Sequence, residues 1–416
     1  MAVAGGSKTI CENSSVTVSG TIARFGSILW THNGAGTLSN STTLTPTYTA
    51  VAGDAGNMVT LTMTVTSTNS CAPQTATAIY TINVDHLPLA TSPGSTAICE
   101  NATTTINTAT QNYGTPTWAE NGAGSITSGA NTLNPVYTAV TADAGHTVIL
   151  TMTVTSTNTC NPQTATSTYT ITVDPLPTAS AGGTQTICEN SAATISGATQ
   201  SNGAPLWAVT NGAGSITSGV NGLTPVYTAA AGDAGNTVIL TMTVTSTNSC
   251  NPQNATATYT IKVDPLPTAT SGGTHTICQN AAYTLVNGEA SQTNGSPSWT
   301  ENGAGSITSG ANSLTPTYTA AAADAGNAVT LTMTVTSTNT CNPQSTPATY
   351  IINVDPVPTA SSPGSQTICE NLGATVSGAS ATNGTISWSE NGQGSITSGL
   401  PAVRTSVSGQ FGDTPR

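Results

Sequence analysis

Nine cysteines recur at a fixed rhythm along this 416-residue sequence, and their spacing is its most distinctive chemical feature. Five lie within the phrase T-[IV]-C-[EQ]-N or a close variant of it, and four follow T-S-T-N-[ST]; the two sets are Cys11, Cys99, Cys188, Cys278 and Cys369, and Cys71, Cys160, Cys250 and Cys341. The C-x-x-C spacing of many metal sites is absent from the sequence. Regularly spaced cysteines in a threonine-rich chain predict disulfides, and therefore an oxidising, extracellular compartment.

Two disulfide pairings are compatible with this spacing. In a seven-stranded Ig-like sandwich, Cys188 would lie near the start of the second strand and Cys250 beyond the end of the sixth, at opposite ends of the repeat. That separation exceeds the roughly 6 Å between Cα atoms that a disulfide permits. Head-to-tail stacking instead predicts bonds across successive junctions, Cys11–Cys160, Cys99–Cys250 and Cys188–Cys341, and leaves Cys71, Cys278 and Cys369 unpartnered. Pairing within each repeat, such as Cys11–Cys71, stays open because connectivity cannot be read from sequence.

Acidic residues recur at the same end of each predicted repeat. In a seven-stranded sandwich, Glu100 falls in the turn between the first and second strands, Asp143 in the turn between the fifth and sixth, and Asp174 at the end of the seventh. Three carboxylates at one junction are a candidate calcium site, since calcium prefers oxygen ligands. The alternative is that each aspartate accepts hydrogen bonds within its own turn. The alternative is favoured, because a full calcium site needs six or more oxygens and Gln279 replaces the glutamate in the fourth repeat.

No catalytic constellation is visible in the sequence. The four histidines, His32, His86, His146 and His275, stand at different points of their repeats, so no repeated site uses them. The phrase N-G-A-G resembles a phosphate-binding loop, but no helix pattern follows it, which favours a simple turn. These observations predict a protein that is not an enzyme and that requires no cofactor.

One tryptophan per repeat marks the predicted core, and the five are Trp30, Trp118, Trp207, Trp299 and Trp388. A single large aromatic residue would pack between two sheets, with the repeated tyrosines directing their hydroxyl groups to backbone atoms at the edges. An exposed sugar-binding platform is the alternative interpretation of the same residues, although such platforms are usually built from clusters of aromatic side chains.

Self-comparison divides the chain into repeats of about 90 residues, a length typical of a sandwich domain. Alternation of period two predicts strands: Val238, Leu240 and Met242 fall on one face, and the residues between them on the other. We therefore predict an all-β fold, a linear tandem array of Ig-like antiparallel β-sandwich domains. The predicted boundaries are 1–88, 89–177, 178–267 and 268–358, followed by an incomplete fifth repeat with a divergent tail at 359–416.

Composition narrows the functional classes. Only 5% of the residues are charged, against about a quarter in ordinary proteins, and the net charge is −12. Five basic residues cannot neutralise a phosphate backbone, so we expect no nucleic-acid partner and no attraction to an anionic membrane. The chain contains no apolar run long enough to span a membrane and no visible signal peptide. The regular placement of Val, Ile, Leu and Tyr argues against disorder.

In their order, these motifs resemble the PKD-like and Ig-like repeats of large bacterial cell-surface and secreted proteins. The resemblance lies in T-I-C-E-N, the lone tryptophan, N-G-A-G, L-x-P-x-Y, D-A-G and the L-T-M-T-V strand, and it extends from residue 1 to about residue 400. It implies an exported bacterial protein that acts as a spacer, a stalk or a module beside other domains. It supplies no catalytic residues.

Two functional classes follow from this resemblance and from the pattern of repeats. The first is an extracellular rod or a head-to-tail filament subunit, whose partners are copies of itself or other cell-surface components. The second is an adhesin or glycan-binding module. The fifth copy proceeds through Trp388 and changes at Pro401, so the strands and second cysteine that would complete it are missing. A half sandwich is either largely disordered or completed by a strand from another chain.

Overall fold

A computed structural model describes residues 1–398, and its regular structure consists of β-strands and four single turns of 3₁₀ helix. The divergent tail that begins at Pro401 lies outside the described residues. No helix in the described part of the chain combines the length and the apolar character needed to cross a membrane.

Each of the four complete repeats contributes nine strands. The first contains β1 (Ala2–Val3), β2 (Ser7–Cys11), β3 (Ser15–Thr17), β4 (Ile22–Ala23), β5 (Gly26–His32), β6 (Thr37–Ser39), β7 (Thr47–Thr49), β8 (Met58–Ser67) and β9 (Thr75–Asp85). The second contains β10 (Leu89–Thr91), β11 (Ser95–Cys99), β12 (Thr103–Thr105), β13 (Thr110–Asn112), β14 (Gly114–Glu120), β15 (Ser125–Ser128), β16 (Val136–Thr138), β17 (Thr147–Ser156) and β18 (Thr164–Asp174).

The third and fourth repeats follow the same order. The third contains β19 (Thr178–Ser180), β20 (Thr184–Cys188), β21 (Ala192–Thr194), β22 (Thr199–Ser201), β23 (Gly203–Asn211), β24 (Ser215–Ser218), β25 (Val226–Thr228), β26 (Thr237–Ser246) and β27 (Asn254–Asp264). The fourth contains β28 (Thr268–Ser271), β29 (Thr274–Cys278), β30 (Ala282–Thr284), β31 (Ala290–Thr293), β32 (Gly295–Glu301), β33 (Ser306–Ser309), β34 (Thr317–Thr319), β35 (Ala328–Ser337) and β36 (Ser345–Asp355). Beyond them lie β37 (Thr359–Ser361) and β38 (Ser380–Thr382). The 3₁₀ turns are Ala52–Asp54, Thr141–Asp143, Ala231–Asp233 and Ala322–Asp324.

Each repeat is a sandwich of two main sheets. In the second repeat, one sheet has the order β11-β18-β17-β14, and the facing sheet has the order β12-β16-β15, with the short pair β10-β13 beside it. Apolar side chains on alternate positions of β17 and β18 face inward, because the side-chain period of a strand is two. The predicted all-β tandem sandwich fold is confirmed.

The first strand of each repeat is divided, and its second half changes the pattern of pairing. β10 pairs antiparallel with β13, whereas β11 crosses to the other sheet and runs parallel to β18. Gly94 makes the crossing at φ 126°, in a region that glycine adopts readily, and a Cβ there would lie 3.1 Å from the ring of Tyr169. The otherwise antiparallel sandwich therefore contains one parallel pair per repeat, and this pair sets the position of the first cysteine.

Four separate hydrophobic cores fill the four sandwiches. In the third repeat, Trp207, Leu240 and Met242 are buried among the residues of one core. The indole N–H of Trp207 donates to the carbonyl of Gly222 at 2.9 Å, so its polar atom is satisfied inside the apolar core. The tryptophans Trp30, Trp118, Trp207 and Trp299 are all buried, and Trp388 is half-buried.

Candidate functional site at the repeat junctions

The parallel strand places a cysteine and an aspartate side by side at the end of each repeat. In the second repeat, Cys99 at the end of β11 is the register partner of Asp174 at the end of β18. We call this pair the socket. The four sockets are Cys11 with Asp85, Cys99 with Asp174, Cys188 with Asp264, and Cys278 with Asp355.

The second cysteine of each repeat lies in the loop between its two longest strands. In the second repeat, Asn158, Thr159 and Cys160 form the tip of this loop, which we call the plug. The amide oxygen of Asn158 accepts the hydroxyl of Ser156 at 2.6 Å and the backbone N–H of Cys160 at 2.8 Å. The asparagine therefore fixes the turn that carries the cysteine. The four plugs are Asn69–Cys71, Asn158–Cys160, Asn248–Cys250 and Asn339–Cys341.

Disulfides join the plugs of the second, third and fourth repeats to the sockets of the repeats that precede them. The three bonds are Cys11–Cys160, Cys99–Cys250 and Cys188–Cys341, with Cα–Cα distances of 4.7, 4.6 and 4.8 Å. Of the two pairings that the sequence left open, the structure contains the one between repeats. Cys71, Cys278 and Cys369 are unpaired and exposed.

Hydrogen bonds surround each disulfide. At the junction of the third and fourth repeats, the backbone N–H and the hydroxyl of Thr340 donate to the Oδ2 atom of Asp264, at 3.2 and 2.9 Å. The side-chain amide of Asn339 donates to the carbonyl of Pro265 at 2.9 Å. The plug therefore contacts both the end of the last strand and the linker that follows it. Similar contacts occur at the other two junctions.

The charge of Asp264 is stabilised by its neighbours. Burial by itself would raise the pKa of this carboxyl group, but the hydrogen bonds from Thr340 and Lys262 outweigh it, and the pKa is lowered. The Nζ atom of Lys262 lies 3.2 Å from the Oδ1 atom of Asp264. The socket therefore presents an ionised acceptor to the plug at neutral pH.

The side chain after the first cysteine of a repeat accepts a hydrogen bond from the linker that follows that repeat. Glu100 accepts the backbone N–H of Leu176 at 3.0 Å, and Glu189 accepts that of Leu266 at 3.1 Å. In the fourth repeat, the amide oxygen of Gln279 accepts the N–H of Val357 at 3.4 Å. Glutamine can replace glutamate here because the position requires only an acceptor.

The buried aspartate of the D-A-G turn lies in a cage of hydrogen-bond donors. Asp143 accepts the N–H groups of Ala123 at 2.7 Å, Gly124 at 3.0 Å and Val140 at 3.1 Å, and the hydroxyl of Tyr137 at 2.8 Å. Burial alone would raise its pKa, and these donors lower it overall. The N-G-A-G loop wraps this carboxylate, and a Cβ at Gly124 would lie 2.2 Å from the carbonyl oxygen of Thr138.

The three residues of the candidate calcium site thus enter separate hydrogen-bond networks. Asp143 lies in its cage, Glu100 binds the linker, and Asp174 accepts the N–H of Ser249 from the next repeat at 3.0 Å. Within residues 1–398, no three His, Cys, Asp or Glu side chains come close enough together to hold a metal ion.

The sequence did not reveal that the N-G-A-G loop and the D-A-G turn are partners. The tyrosine of the P-x-Y segment makes one contact beyond the expected one to backbone: the hydroxyl of Tyr48 accepts the backbone N–H of Gly36 at 2.9 Å, and it also donates to the caged Asp54 at 2.7 Å. One sequence signal could have indicated this contact, because the N-G-A-G, P-x-Y and D-A-G motifs recur in the same order in every complete repeat. Their separation of up to 20 residues hides the contact from a local pattern.

The fourth repeat contains a cluster that the other repeats do not share. The rings of His275 and Tyr283 stack with their centroids 3.7 Å apart. Glu289 accepts hydrogen bonds from Tyr283 at 2.9 Å and from Tyr350 at 2.6 Å. The histidines of the first two repeats lie elsewhere: His32 packs against Tyr48, His86 stacks on Tyr113, and His146 lies beside the carbonyl of Ala144.

No protein-family model matches the chain, and no curated protein shows significant similarity to it. Among solved structures, the chain is similar to Drosophila N-cadherin EC1-4, with 12% identity, a TM-score of 0.30 and coverage of 85% of this chain and 100% of that one. It is also similar to a three-Ig fragment of titin (12% identity, TM-score 0.37, coverage 62% and 95%) and to mouse protocadherin-24 EC1-3 (15%, 0.36, 62% and 96%).

Proposed function

We propose that this chain is an extracellular structural protein, a stalk whose Ig-like repeats are locked together at their junctions. The observation that supports the proposal most is the disulfide between consecutive repeats at three successive junctions. A protein that only displayed a binding surface would not require a covalent bond at every junction. The boundaries 1–88, 89–177, 178–267 and 268–358, and a bacterial, exported origin, belong to the same proposal.

The junctions are suited to resist bending. The linkers between the last strand of one repeat and the first strand of the next are three residues long, as at 86–88, 175–177 and 265–267. A disulfide beside so short a linker gives two points of attachment between neighbouring sandwiches, and the hydrogen bonds that Thr340 donates to Asp264 and Asn339 donates to Pro265 add further contacts. Two attachment points remove most of the freedom that a single flexible linker would leave.

Small-angle X-ray scattering tests the proposal. We expect the maximum dimension of the oxidised monomer to be sharply defined, and to broaden in a C99S/C250S double variant. C71S serves as the matched control, because Cys71 has no partner in the chain, and the scattering curve of its monomer should equal that of the isolated native monomer. An oxidised native protein that already scatters as freely jointed domains would contradict the stalk.

Assembly into a head-to-tail filament is the finer form of this proposal. It is supported by the free cysteines at both ends of the array of complete repeats, Cys71 in the first and Cys278 in the fourth. The partners would then be further copies of the chain or other components of a cell surface. Negative-stain electron microscopy tests it: particles of one fixed length under oxidising conditions would exclude a filament.

An adhesin or glycan-binding module is the second candidate, and the cluster of the fourth repeat favours it. His275 is exposed, and its ring stacks on Tyr283 above the carboxylate of Glu289. Aromatic rings beside a carboxylate suit the apolar faces and hydroxyl groups of a sugar. A glycan array probed with the native protein and with a Y283A variant tests this function. Binding that is equal for both proteins would argue against the cluster.

A further inference from the structure

We propose that the first repeat of one copy docks on the fourth repeat of a second copy, and that Cys71 and Cys278 form a disulfide between the two chains. This inference rests on the proposed structural function and names the contact by which copies would join. The same kind of plug and socket already meet three times within the chain, at Cys11–Cys160, Cys99–Cys250 and Cys188–Cys341.

The plug of the first repeat has the same internal structure as the plugs that are bonded. The amide oxygen of Asn69 accepts the hydroxyl of Ser67 at 2.7 Å and the backbone N–H of Cys71 at 2.9 Å. The corresponding distances around Asn158 are 2.6 and 2.8 Å. The difference lies in exposure: Cys160 is 2% exposed in its junction, whereas Cys71 is exposed to solvent. The loop is therefore already shaped for a socket.

The socket of the fourth repeat is also complete. Cys278 is the register partner of Asp355, as Cys188 is of Asp264. The N–H of Gln279 donates to the carbonyl of Asp355 at 2.9 Å, which matches the bond from Glu189 to Asp264 at 2.8 Å. Asp264 is 8% exposed under its plug, whereas Asp355 is exposed. The fourth socket thus has the backbone geometry of an occupied socket, but no plug lies over it.

The two free surfaces match in their hydrogen-bonding groups. At the second junction, the N–H of Ser249 donates to Asp174 and the amide of Asn248 donates to the carbonyl of Pro175, both at 3.0 Å. Ser70 and Asn69 carry the same two donors in the first plug, and Asp355 and Pro356 carry the same two acceptors at the fourth socket. The plug of a second copy therefore offers the fourth socket the same donors that the other three sockets bind within one chain.

Within the described part of the chain, the residues that follow the fourth repeat leave its socket, Cys278 with Asp355, uncovered. They contribute the short pair β37–β38, and Asp355 and Cys278 are both exposed to solvent beside it. Asn202 and Asn294 donate to the linker carbonyls of Leu176 and Leu266, but Asn383 donates only to its neighbour Thr382. The incomplete copy is held less firmly than a complete repeat, and we infer that an incoming repeat displaces it.

Formation of the bond requires an oxidant, and a small-molecule disulfide such as oxidised glutathione supplies it. The thiolate of Cys71 attacks one glutathione sulfur, breaks its S–S bond and releases one glutathione thiolate, which takes up a proton. The thiolate of Cys278 then attacks the mixed disulfide and releases the second glutathione. Two protein thiols are oxidised by two electrons in total, and one glutathione disulfide is reduced to two thiols.

The test uses the full chain in a glutathione redox buffer, with products separated by non-reducing electrophoresis and by size-exclusion chromatography with light scattering. We expect the native protein to form a ladder of dimers and higher oligomers. C71S alone and C278S alone should stay monomeric, and a mixture of the two should yield a dimer and nothing larger. C369S is the matched control, because Cys369 is also exposed and unpaired, and it should form the full ladder.

Several outcomes would overturn the inference. Dimers of C278S alone would show that Cys71 pairs with itself or that Cys369 forms the bond, and loss of the ladder in C369S would assign the bond to the fifth copy. A Cys71–Cys278 bond found in monomers would indicate ring closure within one chain. Scattering of the C71S monomer separates the stalk proposal from the assembly proposal. If this monomer is rigid but forms no oligomer with the native protein, the stalk stands and only the assembly of copies is contradicted.

Discussion

The carboxylate of Asp264 accepts both the backbone N–H and the hydroxyl of Thr340, which lies 76 residues further along the chain and in the next repeat. The contact lies beside the disulfide between Cys188 and Cys341. A charged acceptor and a covalent bond thus act at the same place, and both depend on the parallel strand that ends at Cys188.

Replacing Asp264 by alanine should loosen the third junction without unfolding either repeat. Hydrogen bonds to a charged group contribute about 1.5–3 kcal/mol, and the loss falls on the loop that carries Thr340. We expect faster amide hydrogen exchange in residues 338–344 of the variant. D355A is the control, since Asp355 occupies the equivalent position without a plug, and exchange in its variant should match that of the native protein.

Peptide mapping under non-reducing conditions should recover the three disulfides between repeats. Trypsin is unsuitable because basic residues are almost absent from the complete repeats, so pepsin at low pH is the better protease and also prevents exchange of disulfides. We expect a peptide that joins Cys99 to Cys250. A peptide that joins Cys99 to Cys160 would show that the pairing lies within repeats.

Removing the caged carboxylate should destabilise one repeat strongly. In D143A, the hydroxyl of Tyr137 and the N–H groups of Ala123 and Gly124 lose their acceptor, and each buried unpaired group costs about 1–3 kcal/mol. We expect differential scanning calorimetry to show one repeat that melts well below the others. Y137F removes a single donor and should cost about 1 kcal/mol. Equal melting of both variants would contradict the cage.

Stability should fall in acid. The pKa values of Asp143 and Asp264 are lower in the folded protein than in the unfolded chain, because their hydrogen bonds outweigh burial. Such groups stabilise the fold fully above their ordinary pKa, near 4, and the stabilisation is lost as the pH falls through the lowered values. Melting temperature should therefore be level from pH 7 to about pH 5 and decline below about pH 4. D143N should flatten part of this decline.

Alkaline titration should distinguish the caged tyrosines from exposed ones. Burial, with the hydrogen bond to Asp54, raises the pKa of Tyr48 from 10.0 to about 12. A neutral phenol with a raised pKa stabilises the fold fully below pH 10, and this contribution is lost as the pH rises towards 12. Ultraviolet absorbance should show Tyr48 ionising well above pH 10. Ionisation of all tyrosines in one step at pH 10 would contradict the cage.

Strands and core were predictable because their signals are local. Alternation in Val238–Val244 places apolar residues on one face of β26, and those residues are buried. The single tryptophan of each repeat needed no long-range information either, since one large aromatic side chain in a short alternating strand is best accommodated between two sheets. Fourfold repetition made these local signals stronger, because the same pattern recurs in every complete copy.

The contacts of the cysteines and carboxylates, in contrast, were decided by tertiary structure. Cys99 and Cys250 are 151 residues apart, and their approach depends on the parallel register of β11 with β18 and on how one repeat meets the next. From the sequence alone, Asp143 could bind either calcium or backbone N–H groups. The fold decides between them because it brings the N-G-A-G loop around this carboxylate. The sequence by itself determined which residues alternate, turn and repeat, because those properties follow from neighbouring residues. Only the tertiary structure determined which distant groups meet, because that depends on the path of the whole chain.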